Sequence, residues 1–215
     1  KVVSKPFPLS TCFVHRAELT KLAPGTDYQF TVGSQSPVLR FQTMPAKATN
    51  TIHFISGGDC GVNEHTVANN IQAARQDPHF AIIGGDLAYD NGIHVQTFLQ
   101  FLQNYSRHMV TKEGRLIPML ACLGNHEVHG GYAQPREKAP FFYAMFDGLF
   151  RDTGYASLDF GDYLSLVLLD SGHTSAIGGA QADWLDKTLK ARVDHPNLIA
   201  INHVPAYPSY RKMEG

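Results

Sequence analysis

Residues 80–89 read FAIIGGDLAY, an apolar stretch that runs directly into two glycines and an aspartate. A short apolar run with β-branched members, here residues 80–84, is typical of a buried strand. The glycines allow the backbone to turn sharply, so that Asp86 follows the end of the strand at once. In α/β proteins, ligand sites form at the carboxyl ends of strands. The stretch therefore predicts a buried strand with a candidate functional residue at its end.

The same arrangement of an apolar run followed by a polar residue occurs at three other places. These are residues 52–56 before Gly57-Gly58-Asp59, residues 116–123 before Gly124-Asn125, and residues 198–201 before Asn202-His203. A single residue of this kind would be an ordinary turn or helix cap. Four residues able to bind metal, at four strand ends, are unlike a chance pattern, since strand ends of one sheet converge. The pattern predicts a metal site at one edge of the sheet.

Helical patterns separate these strands. Three segments have apolar residues three or four positions apart, which predicts helices at residues 64–76, 95–109 and 180–193. Trp184, Leu185 and Leu189 are expected to form the apolar face of the last helix. Residues 155–160 and 163–169 predict a hairpin about Gly161-Asp162. Because strands and helices alternate, we predict an α/β domain whose interior is largely parallel.

Residues 1–46 have a different pattern, in which apolar and polar residues alternate. Three segments predict strands, at residues 12–19, 28–32 and 38–43, with a turn at Pro24-Gly25 between the first two. A linker by composition, residues 44–50, follows them. Two interpretations are open: these strands are the end of a β-sandwich domain, or they are a small β-meander packed on the main domain.

Composition excludes several classes of protein. The 215 residues are 43% apolar and 17% charged, with a formal net charge of −1, which excludes a disordered chain. A near-neutral chain gives no indication of nucleic acid or of an anionic membrane surface as a partner. No apolar run has the length of a membrane helix. The three cysteines are far apart and form no CxxC pair, which argues against a structural zinc site or a disulfide scaffold.

The strand-end motifs resemble, in order, the first four motifs of the calcineurin-like metallophosphoesterases, and the resemblance covers residues 51–215. Most members have a histidine two positions after the first aspartate, where this chain has Gly61. Tyr89 instead stands three positions after Asp86, as in the purple acid phosphatases, whose ferric ion is bound by a tyrosinate. The resemblance implies an αββα fold, a β-sandwich flanked by helices.

The resemblance also implies roles for individual residues. Asp59, Asp86 and Tyr89 would bind Fe(III), and Asp86 would bridge to a divalent ion (Fe, Zn or Mn) that Asn125 and His203 also hold. His126 would bind the substrate phosphate and assist the leaving group. The implied reaction is that of an acid phosphatase, in which a metal-bound hydroxide attacks a small phosphate monoester. Tyr89 as an ordinary buried aromatic, and His126 as a histidine bonded only to backbone, are the alternatives.

The chain departs from the family pattern after His203. No Gly-His-x-His motif follows, so each ion is one histidine short, and we expect that the catalytic domain is truncated before that motif. The alternative is a degenerate site. Arg211 and Lys212 stand where plant-type enzymes have a histidine pair that contacts substrate. They are candidate substrate-binding residues, since both side chains bind phosphate, or else they are a solvated basic pair.

Residues 22–28, LAPGTDY, resemble the corner of fibronectin type III domains in which a tyrosine hydroxyl bonds back to nearby backbone. We therefore predict two domains. Residues 1–46 would be the C-terminal part of a fibronectin III-like β-sandwich with its linker, and residues 47–215 the metallophosphoesterase domain. By family resemblance the protein would be secreted or periplasmic, and its oligomeric state is left open.

The sequence leaves two other functions open. One is a phosphodiesterase or nucleotidase on the same scaffold, which would prefer different phosphate esters. The other is a non-catalytic surface protein in which the phosphatase fold has lost its metals.

Overall fold

The structure is a computed structural model, and it describes residues 2–34, 36–48 and 51–207. Its strands, in chain order, are β1 (Val2–Pro6), β2 (Phe13–Ala17), β3 (Asp27–Phe30), β4 (Leu39–Gln42), β5 (Phe54–Gly57), β6 (Phe80–Ile83), β7 (Met119–Ala121), β8 (Ala156–Phe160), β9 (Leu164–Leu168) and β10 (Leu198–Ile201). Its α-helices are α1 (Glu64–Ala74), α2 (Val95–His108), α3 (Pro140–Phe146) and α4 (Ala180–Lys190). The predicted strands and helices therefore exist, mostly a few residues shorter than the sequence pattern suggests.

Two three-stranded sheets form the centre of the α/β part. The first is parallel with the order β5-β6-β7, and the second has the order β10-β9-β8. In the second sheet β10 runs parallel to β9, whereas β8 and β9 form the predicted antiparallel hairpin. The arrangement confirms the predicted α/β class and brings the carboxyl ends of β5, β6 and β10 into one region.

Alternation along β6 explains how the first sheet is buried on both faces. Phe80 and Ile82 belong to the apolar layer that contains Leu164 and Leu166 of the second sheet. Ala81 and Ile83 point the other way and belong to the cluster formed with the helices. Because successive side chains of a strand point to opposite faces, a strand buried on both sides has to be apolar throughout. This explains why residues 80–83 are apolar without interruption.

The helices cover the outer faces of the sheets. Asn63 caps α1, since its side-chain oxygen accepts hydrogen bonds from the N–H groups of His65 and Thr66. In α2, Phe98 and Phe101 are buried in the cluster on the helix side of the first sheet. On the other side of the molecule, Trp184 of α4 packs against the ring of Tyr155, which directly precedes β8.

The predicted apolar face of α4 is partly wrong. Leu189 is 38% exposed, and the buried residues of this helix are Gln181 and Thr188. The reason is that the Gln181 amide donates to the carbonyl oxygen of Asp170 and accepts from its N–H group. A buried glutamine with satisfied hydrogen bonds thus takes a position that the apolar pattern alone would not assign to it.

The N-terminal segment forms two two-stranded antiparallel sheets, β1-β2 and β3-β4. β1 was not predicted, and it pairs with β2. Phe7, just after β1, is buried and stacks on Phe98 and Phe141, so this segment contributes to the core of the α/β part. The division into domains 1–46 and 47–215 stays a prediction.

None of the helices in the described part of the chain is long and apolar enough to cross a membrane.

Candidate metal centre

Three predicted ligands converge at the carboxyl ends of three strands. Asp59 follows β5, Asp86 follows β6, and His203 follows β10. Each residue offers a ligand atom, and these atoms lie within 4.8 Å of one another. In the residues that the structure describes, this is a group of the size that can surround a cation. The convergence agrees with the sequence argument that strand ends would meet.

Unusual backbone conformations place two of these carboxylates. Asp59 and Asp86 have φ angles of 51° and 54°, in the left-handed region that residues with a Cβ atom seldom adopt. Gly124 lies so close to Asp86 that an added Cβ would collide with the carboxylate and with the Asp86 nitrogen. The glycine at the end of β7 is therefore required for the close approach of the two loops.

The two remaining predicted ligands lie in the same region. The Tyr89 hydroxyl donates a hydrogen bond to Oδ1 of Asp59 at 2.9 Å. Nε2 of His203 lies 3.1 Å from Oδ1 of Asn125 and 3.4 Å from Oδ1 of Asp86. The structure thus brings together all five residues that the sequence singles out as ligands, with Tyr89 bonded to Asp59 and Asn125 next to His203.

Hydrogen bonds orient the His203 ring and shift the pKa values of His203 and Asp86. Nδ1 of His203 donates to the carbonyl oxygen of Gly84 at 2.8 Å, so Nε2 faces Asp86 and Asn125. The hydrogen bond to Asp86 is the main cause that raises the pKa of His203 to about 9, against the opposing effect of burial. Burial acts to raise the pKa of Asp86, but hydrogen bonds from His203 and the His126 N–H outweigh it and hold this pKa below its ordinary value.

The donor set fits the group that the family implies. Two carboxylates, and a phenol once it loses its proton to bind metal, are anionic oxygen donors, which suit a hard ferric ion. An amide oxygen and an imidazole beside the shared carboxylate suit a divalent ion. Asp86 has a ligand atom within 4.8 Å of those of both Asp59 and His203, so its carboxylate is near both parts of the set.

His126 is oriented by a reciprocal pair of hydrogen bonds with Asn91. Nδ1 of His126 donates to Oδ1 of Asn91 at 2.6 Å, and the Asn91 N–H donates to the His126 carbonyl oxygen at 2.8 Å. Nε2 therefore takes no part in this bond and lies 4.0 Å from Oδ2 of Asp86. The His126 ring also packs against Tyr89, with centroids 4.3 Å apart. His126 is held by a side chain as well as by backbone, and its Nε2 faces the candidate ligands.

Glu127 is a residue whose role the sequence argument missed. Its side chain is 1% exposed and accepts hydrogen bonds from the N–H groups of Asp86, Leu87 and Gly124, at 2.7–2.8 Å. We call these contacts the Glu127 network. Burial and the nearby charge of Asp86 raise the pKa of Glu127 to about 8, although the N–H donors oppose this. The network joins the loop after β6 to the loop after β7.

A second missed group lies in the loop after β9. The buried carboxylate of Asp170 accepts hydrogen bonds from the N–H groups of His173, Thr174 and Ser175 and from the Thr174 hydroxyl. We call these contacts the Asp170 network. The loop presents His173, fully buried, with its ring 5.7 Å from that of His203. His173 precedes β10 and no second histidine stands two positions after it, so it does not form a Gly-His-x-His motif.

The predicted substrate-binding residues Arg211 and Lys212 lie outside the described residues.

Comparison with known proteins agrees with this geometry. The chain matches the calcineurin-like phosphoesterase family over residues 45–215. It is 24% identical over 210 residues to purple acid phosphatase 21 of Arabidopsis thaliana, which covers 94% of this chain and 46% of that protein. It is also 24% identical over 234 residues to purple acid phosphatase 23 of the same plant, covering 92% of this chain and 49% of that one.

Solved structures show the same fold. Purple acid phosphatase PPD1 from yellow lupin (Lupinus luteus) seeds has a TM-score of 0.65 at 18% identity, over 87% of this chain and 38% of that one. The structure of PhoD has a TM-score of 0.62 at 16% identity, over 87% of this chain and 49% of that one. The chain spans about half the length of the curated relatives that it matches.

Proposed function

Because the chain belongs to the calcineurin-like phosphoesterase family, we propose that it is a metal-dependent hydrolase of phosphate esters. The observation that carries this proposal is the meeting of Asp59, Asp86 and His203, whose ligand atoms lie within 4.8 Å of one another. The rival interpretation as a non-catalytic relative requires that these residues no longer bind metal. Hydrogen bonds to Tyr89 and Asn125 hold five possible metal ligands together, which favours a metal-dependent enzyme over a non-catalytic relative.

We further propose a binuclear centre of Fe(III) and a divalent ion, acting on phosphate monoesters. When bound, two such cations neutralise the charge of the phosphate and lower the pKa of a bound water molecule. Asp59, Asp86 and Tyr89 would hold the ferric ion, and Asp86, Asn125 and His203 the divalent ion. Tyr89, whose hydroxyl donates a hydrogen bond to Asp59, is the residue that favours an iron ion and a centre like that of the purple acid phosphatases.

His126 is the proposed catalytic residue. Its Nε2 faces the ligands, since Asn91 occupies Nδ1. From this position a doubly protonated ring would donate from Nε2 to a phosphate oxygen and pass that proton to the leaving-group oxygen as its bond to phosphorus breaks, help that contributes on the order of 10²–10⁴ in rate. Asn91, by accepting from Nδ1, would keep Nε2 directed at the substrate.

Metal content and substrate preference test the proposal together. Asp86→Asn keeps the shape of the side chain and removes the bridging charge. We expect loss of bound metal and a fall of at least about a hundredfold in turnover, because even outer partners of metal ligands are worth 10–100-fold. Asp162→Asn, at an exposed turn, is the matched control. Unchanged metal content and turnover in the Asp86 variant would contradict the proposal.

Two further measurements separate the finer alternatives. A monoester and a diester of the same phenol, 4-nitrophenyl phosphate and bis(4-nitrophenyl) phosphate, distinguish a phosphatase from a phosphodiesterase. A visible tyrosinate-to-iron absorption that Tyr89→Phe removes would support the ferric site. A colourless, active, iron-free protein would overturn the iron assignment and leave the hydrolase proposal standing.

We also propose that residues 1–46 derive from a fibronectin III-like domain, that residues 47–215 form the catalytic domain, and that the protein is exported. The Tyr28 hydroxyl accepts a hydrogen bond from the Ala23 N–H at 2.7 Å, which supports the tyrosine-corner interpretation. A structure of a longer chain that shows a different domain upstream would overturn the first of these proposals.

A further inference from the structure

An exposed tyrosine lies one ring away from the candidate metal ligands. Tyr132 is 49% exposed, and its ring packs on that of His173 with centroids 4.8 Å apart. His173 in turn packs against His203. Three rings therefore form a series that runs from the side of the metal centre where Asn125 and His203 lie out to the surface.

Backbone hydrogen bonds fix the loop that carries Tyr132. The N–H groups of Ala133 and Gln134 donate to the carbonyl oxygens of Gly172 and His173, both at 2.9 Å. Nδ1 of His173 donates to the carbonyl oxygen of Gly131 at 3.0 Å. Since these bonds join the loop to the Asp170 network, the position of Tyr132 is set before any ligand arrives.

The same loop lies against the metal centre itself. A Cβ atom added to Gly131 would be 3.8 Å from Cβ of Asn125, so the residue next to Tyr132 is in contact with a candidate ligand. The Tyr132 ring is thus exposed to solvent next to a loop that contacts the candidate metal centre.

A second exposed apolar side chain lies near this loop. Ile177, which is 68% exposed, lies close to Gly172, whose carbonyl oxygen accepts from the Ala133 N–H. Exposed apolar groups beside a polar site are typical of a surface that contacts an organic ligand.

We propose that Tyr132 forms one wall of a leaving-group subsite, and that the protein prefers phosphate esters whose alcohol part carries a planar ring. This inference rests on the proposed function, since the phosphate must first bind at the metal centre. A ring of the ester would stack on the exposed part of Tyr132, while the phosphate lies beside Asn125 and His203. Aromatic stacking predicts a preference of about two- to tenfold that depends on this side chain.

Binding of two phosphonates to the metal-loaded full chain tests the inference without turnover. Phenylphosphonate and methylphosphonate have the same charged group, and only the first has a ring. We expect that Tyr132→Ala weakens phenylphosphonate by about two- to tenfold in Kd, measured by calorimetry, and leaves methylphosphonate unchanged. Tyr132→Phe should retain the preference. Phe13→Ala, at an exposed aromatic outside the centre, is the matched control and should change neither Kd.

The outcomes distinguish this inference from the proposed function. If methylphosphonate binds but the preference for the phenyl group survives in Tyr132→Ala, the subsite is wrong and the proposed function stands. If Tyr132→Ala weakens both phosphonates equally, Tyr132 supports His173 and does not contact the ligand, which also overturns the subsite. If neither phosphonate binds to the metal-loaded protein, the proposed function fails and the subsite fails with it.

Discussion

Two buried carboxylates flank the candidate metal centre, and they differ in what they join. Glu127 accepts from the N–H groups of Asp86 and Leu87, which are 41 and 40 residues away in the chain. Asp170 accepts from His173, Thr174 and Ser175, all within five residues. The first carboxylate fixes the distance between two loops that carry ligands, whereas the second shapes one loop. A buried carboxyl group can thus serve the site either by joining loops or by folding one of them.

The surroundings of the two carboxylates differ as well. The hydrogen bonds of the Glu127 network are all buried, while most of those of the Asp170 network are only partly so. A buried N–H group that loses its acceptor costs about 1–3 kcal/mol, and water reduces that cost where it can enter. We therefore expect Glu127 to matter more for stability than Asp170.

The largest expected effect is that of Glu127→Gln. The new amide nitrogen is a donor, and in the position of Oε2 it would leave the N–H groups of Asp86 and Gly124 without an acceptor. We expect the free energy of unfolding to fall by about 2–4 kcal/mol, measured by denaturant titration. Glu137→Gln, at an exposed position, is the control. A change below about 1 kcal/mol would break the comparison, because the joining role would then have little value.

The next effect is that of Asp170→Asn. We expect a loss of about 1–2 kcal/mol, together with faster amide hydrogen exchange at Thr174 and Ser175, because these donors are partly accessible to water. Exchange in α2 should stay as in the original protein. Asp152→Asn, at an exposed position, is the control. Faster exchange throughout the protein would show that the Asp170 network is as far-reaching as the Glu127 network.

The smallest effect concerns a carboxylate at the surface. Arg192 donates to both oxygens of Asp159, at 2.7 and 2.8 Å, and these bonds are the main cause that holds the pKa of Asp159 below its ordinary value. Because the pKa is lower in the folded state, the contribution to stability is present above the unfolded value of about 4 and is lost as pH falls through the folded pKa.

Arg192→Gln tests this contribution. At pH 7 we expect a loss below about 1 kcal/mol, since Asp159 is exposed and the ion pair is screened by water. Denaturant titrations from pH 7 down to pH 3 should show the difference from the original protein shrinking below about pH 4. Arg151→Gln, at an exposed position, is the control. A difference that stays constant at low pH would mean that Arg192 acts through packing and not through the charge of Asp159.

The positions of the candidate ligands could be predicted from the sequence because each follows an apolar strand. Asp59, Asp86 and His203 stand directly after β5, β6 and β10, and parallel strands end at a common edge. Asn125 follows β7, the neighbour of β6. The sequence distance of Tyr89 from Asp86 and the family resemblance then added the remaining donor.

The two carboxylate networks could not be predicted in the same way. Nothing in the sequence near Glu127 indicates that Asp86 and Leu87, some 40 residues earlier, present their N–H groups to it. Asp170 follows β9 directly, and a polar residue at a strand end was a usable signal there. That signal lies outside the family motifs, which is why Asp170 was not among the predicted residues. The prediction that Leu189 is on the buried face of α4 was wrong because apolar spacing does not identify a buried polar residue such as Gln181, whose amide bonds to the backbone of Asp170.

The left-handed backbone at the centre has a consequence for directed evolution. Tyr89 has a φ angle of 61°, and for a bulky residue this conformation costs roughly 1–2 kcal/mol that glycine would not. A screen for thermal stability alone would therefore tolerate glycine at this position. That change would delete the side chain that bonds to Asp59 and packs on His126. Activity has to be selected together with heat resistance to keep the tyrosine.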